Sequence, residues 1–449
     1  GDPSFIVGVS LEQFRTEYVF LVPTKYRQSY ITVIAKAGAS VTLDGAVLQA
    51  SQFKTLPSGD YMTATMPMFP GSHTLSSIER AGLLVYGWDW YVSYGYPGGM
   101  NVETLQVYLG SMYVRHWIVS QLARSVSWEL LESIGLRVRL LDHRRVVDDV
   151  GSYFAMRKFS LEPDAAGHVR FHLNNRPLFL YGPLDQGYWP DGLYTAPTDE
   201  ALKYDIEATR ALGMNMARKH VKIEPARWYY WCDKLGLLVW QDMPSGDAFI
   251  GEKGADIRRT PESGAQFEKE LEAMVRGLIN HPSIVMWVPY NEGWGQWDTA
   301  RIVDLIKGWD PTRLVNNASG WADRGAGDVN DVHKYPGPDA PKPEEKRAVV
   351  LGEYGGLGLP VKGHTWQDEK NWGYKSFEDP AKLTEAFLDL QRQVRLFFLS
   401  NGLSAAIYTQ TSDVEIEVNG FMTYDRALVK MDRAAVAAAN RLLIQRPAK

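Results

Sequence analysis

The sequence predicts a multidomain protein: an N-terminal antiparallel β-sandwich, a short truncated immunoglobulin-like linker region and a C-terminal (β/α)8 TIM barrel. Three observations carry this. The chain has 449 residues, more than one simple core accommodates, so two or three domains are expected. Its first hundred or so residues are short β-branched or aromatic runs separated by Gly, Ser, Asp and Pro. From Asn174 onward, short apolar runs alternate with helix-length stretches. The expected division is 1–107, 108–173 and 174–449.

In the first domain, SYITVIAKAG, ASVTLDGAVL, YMTATMPM, SHTLSSI and AGLLVYGW each read as strand segments bounded by turn residues. In the bridge, VRHWIVSQLARSVSWELLESIG reads as a helix. LRVRLLDHRRVVDDVGSYFAMRKFSL reads as two or three strands joined by a turn. Eight apolar runs then follow: PLFLYGP, GMNMARKH, GLLVWQDM, IVMWVPYNE, RLVNNAS, DVNDVHKYP, AVVLGEYGG and SAAIYTQ. Helical patterns separate most of them, starting near Asp, Pro or Ser and ending in Gly, as capping prefers; Asp199 is expected to cap the first. A doubly wound open sheet is the alternative. No Gly-x-Gly-x-x-Gly follows the first run, and eight runs over this span fit a barrel.

Composition narrows the function. Lys+Arg 48 against Asp+Glu 53 leaves a charge of -5 without a long run of either sign, so no nucleic-acid or anionic-membrane partner is expected. The 15 Trp and 23 Tyr, many beside polar loop residues, favour a sugar or aromatic ligand, because aromatic faces stack on sugar C–H faces. Cys232 is the only cysteine, which excludes an intrachain disulfide and a Cys-based metal site. No apolar run reaches the ~18 residues of a membrane span. The chain opens at Gly1 with neither a charged n-region nor an apolar h-region: either a signal was removed or none existed. A bacterial secreted or periplasmic location is slightly favoured over a cytoplasmic one. Oligomeric state stays open.

In a barrel of this kind, catalytic groups emerge at the C-terminal ends of strands. The fourth run ends in Tyr290-Asn291-Glu292, followed by Gly-Trp-Gly; the seventh ends in Gly352-Glu353-Tyr354-Gly-Gly. Either glutamate alone is more simply a structural ion pair. Two rim carboxylates on different strands are the minimum apparatus of retaining glycoside hydrolysis, in which one protonates the leaving oxygen and the other attacks the anomeric carbon.

Residues 147–432 resemble glycoside hydrolase family 2, whose clan includes β-galactosidases and β-glucuronidases. NHPSIVMWVPYNEGWG resembles its acid/base signature and VVLGEYGG its nucleophile strand. The resemblance implies Glu292 as general acid/base and Glu353 as nucleophile. It further implies Asn291 as a ligand of the sugar 2-hydroxyl, Arg218 as the arginine beside the nucleophile, and Tyr335 as a donor to it. His220 and His333 sit near these at the rim, and Trp366 is a platform under the sugar. In the loop after the first run, Asp185, Gln186, Trp189 and Asp191 are substrate-binding candidates; Asp242 and Asp413 are weaker ones. No cofactor and no metal are expected, since no His/Asp spacing repeats as ligand sets do.

The expected activity is a retaining exo-β-glycosidase with β-galactosides preferred, because the Asn/Lys pair typical of glucuronidases is not evident. The sequence departs from the family at its N-terminus. Residues 1–107 do not look like the usual jelly roll; VTLDGAVL, GSHTLSS and GLLVYGWDWYVSYGYPGG are similar to the N-terminal domain of bacterial IgGFc-binding-like proteins. That replacement motivates the rival expectation of a non-catalytic carbohydrate-binding or adhesion protein on a hydrolase-derived barrel.

Overall fold

The computed structural model describes residues 11, 14–24, 26–56, 58–89, 92–97, 134–142 and 145–444. The chain forms two compact units, Gly1–Trp117 and Ile118–Lys449.

The first unit is an eight-stranded antiparallel sheet built around one long strand, Gly71–Asp89. Its first half pairs with Arg15–Val22 and Val41–Leu43, its second half with Gln28–Lys36 and Val92–Pro97. Burial alternates along Gln28–Lys36, placing Ile31, Val33 and Ala35 in a core with Tyr18, Phe20, Leu75, Leu83 and Val85. The runs SHTLSSI and AGLLVYGW, which read as separate segments, are one strand that runs on through the exposed Ile78, Glu79 and Arg80, where its pairing with Arg15–Val22 shifts register. The expected helix over 114–135 lies outside the described residues as far as residue 133; its last two residues, Ile134 and Gly135, instead begin a strand.

In the second unit, Ile134–Asp142 and Arg145–Phe154 form an antiparallel hairpin. Phe159–Pro163, Val169–Leu173 and Arg176–Leu178 form a three-stranded antiparallel sheet. Eight parallel strands follow: β1 (Leu180–Asp185), β2 (Met216–Lys219), β3 (Leu238–Asp242), β4 (Ile284–Val288), β5 (Leu314–Val315), β6 (Val329–Lys334), β7 (Ala348–Gly355) and β8 (Ala405–Thr409). Their hydrogen-bonded order is β5-β4-β3-β2-β1-β8-β7-β6. The two ends meet where Asp328 N donates to Val315 O at 2.8 Å and Val315 N to the Asp328 carboxylate at 2.7 Å, so the barrel is nearly closed.

Both faces of these strands are buried, which is why they read as continuous apolar runs. Alternate residues such as Met216, Leu238, Trp240 and Met286 share one cluster with Phe159 and Phe171 of the three-stranded sheet. Their neighbours Ala217, Val239 and Trp287 pack with residues of the helices outside. The helices are α1 (Asp199–Ala211), α2 (Ala226–Leu235), α3 (Pro261–Leu278), α4 (Thr299–Trp309), α5 (Pro380–Ser400) and α6 (Arg433–Ile444).

Capping chemistry sets the helix ends. Thr260 and Asp379 accept from Ser263 N and Lys382 N, each followed by Pro at the first helical position. Gly236 closes α2 in the left-handed region. The cap of α1 is Thr198, which accepts from Ala201 N, and not Asp199. Asp199 instead takes a two-pronged ion pair from Arg227 at 2.8 and 2.7 Å and a bond from Trp231. Among the described residues no helix is long and apolar enough to cross a membrane.

Candidate active site

Arg218 organises the C-terminal mouth of the barrel. It ends β2 with its side chain fully buried, and all five guanidinium hydrogens are used. Nε and one terminal nitrogen grip the Asp242 carboxylate of β3 at 3.0 and 2.8 Å. The same terminal nitrogen donates to Asn291 Oδ1 at 2.8 Å. The other donates to Gly352 O and Glu353 Oε1, both at 3.2 Å. One cation thus ties β2, β3, β4 and β7 together. Because the Asn291 carbonyl is committed to Arg218, its NH2 is left to donate elsewhere.

Glu353, in β7, is also held at its second oxygen, where the Tyr335 hydroxyl donates at 2.6 Å and itself lies 2.6 Å from Thr409 Oγ1. Burial pushes the Glu353 carboxyl up, but the charges of His333, Arg218 and His220, with the Tyr335 bond, outweigh it and hold it below the ordinary carboxylate range. Asp242 behaves alike: burial is overcome by Arg218 and His220. Gly352 is required here, since a Cβ would come 2.3 Å from the Asp331 carboxylate that accepts its N–H.

Glu292 follows β4 with φ +52°, in the left-handed region that non-glycine residues seldom occupy. Its N–H donates to Ser319 O at 2.8 Å, which holds this conformation. Its carboxylate lies 2.9 Å from His333 Nδ1. Ser319 Oγ donates to Asp331 at 2.6 Å and lies 2.7 Å from His333 Nε2. That assigns the Nε2 hydrogen to the serine and leaves Nδ1 to share a proton with Glu292. Burial would lower the His333 pKa; Glu353, Glu292 and Asp331 raise it above its ordinary value. Donor atoms of Glu292, His333 and Glu353 all lie within 4.8 Å of one another. A divalent cation would also accept that spacing, but the hydrogen bond from His333 to Glu292 already engages two of the three groups.

The remaining candidates separate clearly. His220 lies 3.2 Å from Asp242 and 3.9 Å from Glu353. With Gln186, Tyr188, Tyr194, Asn291, Glu292 and Trp294 it lines a cleft of about 420 Å³. Asp185 is buried in an ion cluster with Lys219, Glu224 and Lys222. Trp189 is buried under the Arg426 guanidinium, 3.9 Å from its ring centre. Asp191 is exposed. Burial pushes Asp413 up to about 6 despite its 2.6 Å ion pair with Lys430. Trp366 packs edge-on against Tyr424, not against the carboxylates.

The aromatic wall near the carboxylates joins Tyr335 to two residues the sequence did not single out, Tyr374 and Trp372. Tyr374 stacks on Tyr335 with ring centres 3.7 Å apart and planes 5° apart, and Trp372 packs on Tyr374. Burial, with the charges of Glu353, Glu417 and Glu292, pushes the Tyr374 hydroxyl up. Gly356 makes room: it has φ +63°, and a Cβ there would lie 2.4 Å from the Tyr374 ring. The only sequence signal for this wall is its aromatic composition (NWGY).

Comparison with known proteins bears on this geometry. Residues 168–356 match the family model "Glycosyl hydrolases family 2, TIM barrel domain", and residues 1–87 match "IgGFc binding protein". The chain is similar to a putative beta-glucuronidase of Formosa agariphila, 27% identical over 157 residues, covering 35% of this chain and 18% of the relative. It is also similar to a beta-galactosidase of Thermoanaerobacterium thermosulfurigenes, 29% identical over 140 residues, covering 31% and 18%. The chain therefore spans under a fifth of the length of these curated relatives. Among solved structures, a GH2 beta-galacturonidase from Eisenbergiella tayi bound to galacturonate shares the fold, with TM-score 0.54, 15% identity, and coverage of 95% of this chain and 89% of that one.

Proposed function

We propose that this chain, whose barrel is that of glycoside hydrolase family 2, is a retaining exo-β-glycosidase acting by double displacement, with β-galactosides preferred. The observation that carries the reading is the carboxylate pair: acceptor atoms of Glu292 and Glu353 within 4.8 Å, at the ends of β4 and β7. Retaining enzymes keep their two carboxyl groups about 5–5.5 Å apart, whereas inverting ones need ~6.5–9.5 Å to admit a water between them.

In this reading Glu353, kept ionised by Arg218, His333 and Tyr335, attacks the anomeric carbon while Glu292 protonates the departing oxygen. Its own ester bond to the sugar then breaks as Glu292 takes a proton from the incoming water. His333 holds the Glu292 carboxyl in place and shares its proton. The Asn291 NH2, oriented by Arg218, donates to the sugar hydroxyl beside the reacting carbon, and the Tyr335–Tyr374 wall supports the ring. Asp242 acts through Arg218 and His220, as a positioning residue.

A panel of chromogenic β-glycosides tests this. Turnover with net retention of the anomeric configuration is expected, and Glu353→Gln should abolish it; undiminished turnover in that variant would overturn the assignment. Residues 1–87 motivate a second reading, a non-catalytic glycan-binding protein. Tight binding on a glycan array, with no hydrolysis of any bound glycan, would favour it.

A further inference from the structure

The loop after β8 carries an acid that a chain of amides links to the cleft. Gln186, which lines the cleft, donates its side-chain NH2 to Gln410 Oε1 at 2.9 Å. Gln410 donates to Asn419 Oδ1 at 2.9 Å, and Asn419 to Glu417 Oε1 at 2.8 Å. All three amides point the same way, so the relay ends on a carboxylate acceptor, and it engages one oxygen of Glu417. Backbone bonds from Trp372 N to Ile416 O and from Val418 N to Trp372 O, both 2.9 Å, stitch Glu417 to the Trp372–Tyr374 wall. Burial pushes the Glu417 carboxyl above its ordinary value and the Glu353 charge adds to this, while the Asn419 bond and the His220 charge favour its ionised form.

The cations around the cleft are committed elsewhere. Arg218 spends every N–H on Asp242, Asn291, Gly352 and Glu353. Lys219 is paired to Asp185 and Glu224, and Lys222 to Glu224 and Gly187 O. Arg218 has no donor to spare for a second anion, and the two ammonium groups, each already shared between two oxygens, also sit over aromatic rings, Lys219 4.3 Å from the centre of Trp228 and Lys222 4.5 Å from that of Tyr194.

We propose that Glu417 is a specificity-determining residue that selects a neutral sugar over a uronic acid. Its carboxylate accepts a hydroxyl hydrogen of the sugar bound beside Glu353, and it repels a sugar that carries a carboxylate of its own. Rejection by like charge without a compensating cation is a means of discrimination that leaves the binding of the accepted ligand intact. The assignment rests on the glycosidase reading for the location of the sugar.

The test compares the full chain with Glu417→Gln, an isosteric change that keeps an acceptor and removes the charge. Substrates are the 4-nitrophenyl β-galactoside, β-glucoside and β-mannoside against the β-glucuronide and β-galacturonide. A parallel calorimetric titration with galactose and galacturonate reads the same selectivity as a ratio of Kd, without turnover. The wild type should favour neutral ligands by at least about 100-fold, and Glu417→Gln should shrink that ratio by at least about tenfold. If no glycoside is hydrolysed but the Kd ratio moves with Glu417→Gln, the glycosidase reading falls and the selectivity assignment stands. A wild type that prefers the uronic ligand, a ratio unmoved by the substitution, or no binding of either sugar overturns it.

Discussion

Tyr335→Phe isolates the hydrogen bond to the proposed nucleophile. The substitution removes one oxygen, which donates to Glu353 Oε2 at 2.6 Å, and leaves the ring that stacks on Tyr374. A hydrogen bond to a charged group contributes a net ~1.5–3 kcal/mol, equivalent to roughly 10- to 150-fold in a rate when the charge is fully developed. The two chemical steps feel this differently. In the first, Glu353 loses charge as it bonds to the sugar; in the second, it regains charge as it leaves. Losing the bond therefore slows the second step most.

Stopped-flow release of 4-nitrophenol should show kcat falling by about 10- to 150-fold, KM falling with it, and a burst of one equivalent as the intermediate accumulates. The pH profile of kcat/KM should also move. Glu353 sits below its ordinary range, and Tyr335 is one cause of that. Activity requires the ionised form and is lost as pH falls through this value, so the acid limb shifts to higher pH in the variant. The Thr409 hydroxyl, left without its 2.6 Å partner, should cost little because it can turn to another acceptor. A kcat within twofold of wild type, no burst and an unmoved acid limb would refute the role of Tyr335 and weaken that of Glu353.

Arg218→Met leaves Asp242 and Glu353 buried without their counter-charge; breaking such a buried pair costs about 3–5 kcal/mol, read as a lower urea midpoint of barrel tryptophan fluorescence. Both carboxylates have lowered folded pKa values, so the stability they contribute is present above their unfolded values and lost as pH falls through the folded ones. In Arg218→Met that loss should begin at higher pH. Gly356→Ala, strained at φ +63°, should displace Tyr374 from Tyr335 and reduce kcat/KM severalfold, since its methyl meets the Tyr374 ring at 2.4 Å and the Tyr335 ring at 3.2 Å. An unchanged kcat/KM there would remove Tyr374 from the site.

What was legible in the sequence follows from where each residue is anchored. Strand ends four and seven could be read because a parallel strand is buried on both faces; its apolar run stops where the polar rim begins, and Glu292 and Glu353 mark that stop. Arg218, Asn291, His333 and Tyr335 were singled out through the family resemblance, and each lies at or within three residues of a strand end. The wall and the selector were hidden because loops place them. Trp366 is the tryptophan nearest the end of β7 in sequence, yet the chain runs past it before Gly356, by lacking a side chain, admits Tyr374 onto Tyr335. Glu417 depends on a relay through Gln410 and Asn419 that begins at Gln186, more than two hundred residues upstream. At α1, Thr198 and Asp199 are both good caps, and the choice fell to a tertiary partner: Arg227 claims the aspartate and leaves the threonine for Ala201 N. Where a residue's position is fixed by its own strand, pattern suffices. Where it is fixed by a neighbour's missing Cβ or by a distant amide, only the assembled barrel shows it, and for Glu417 that is where sugar selection is proposed to reside.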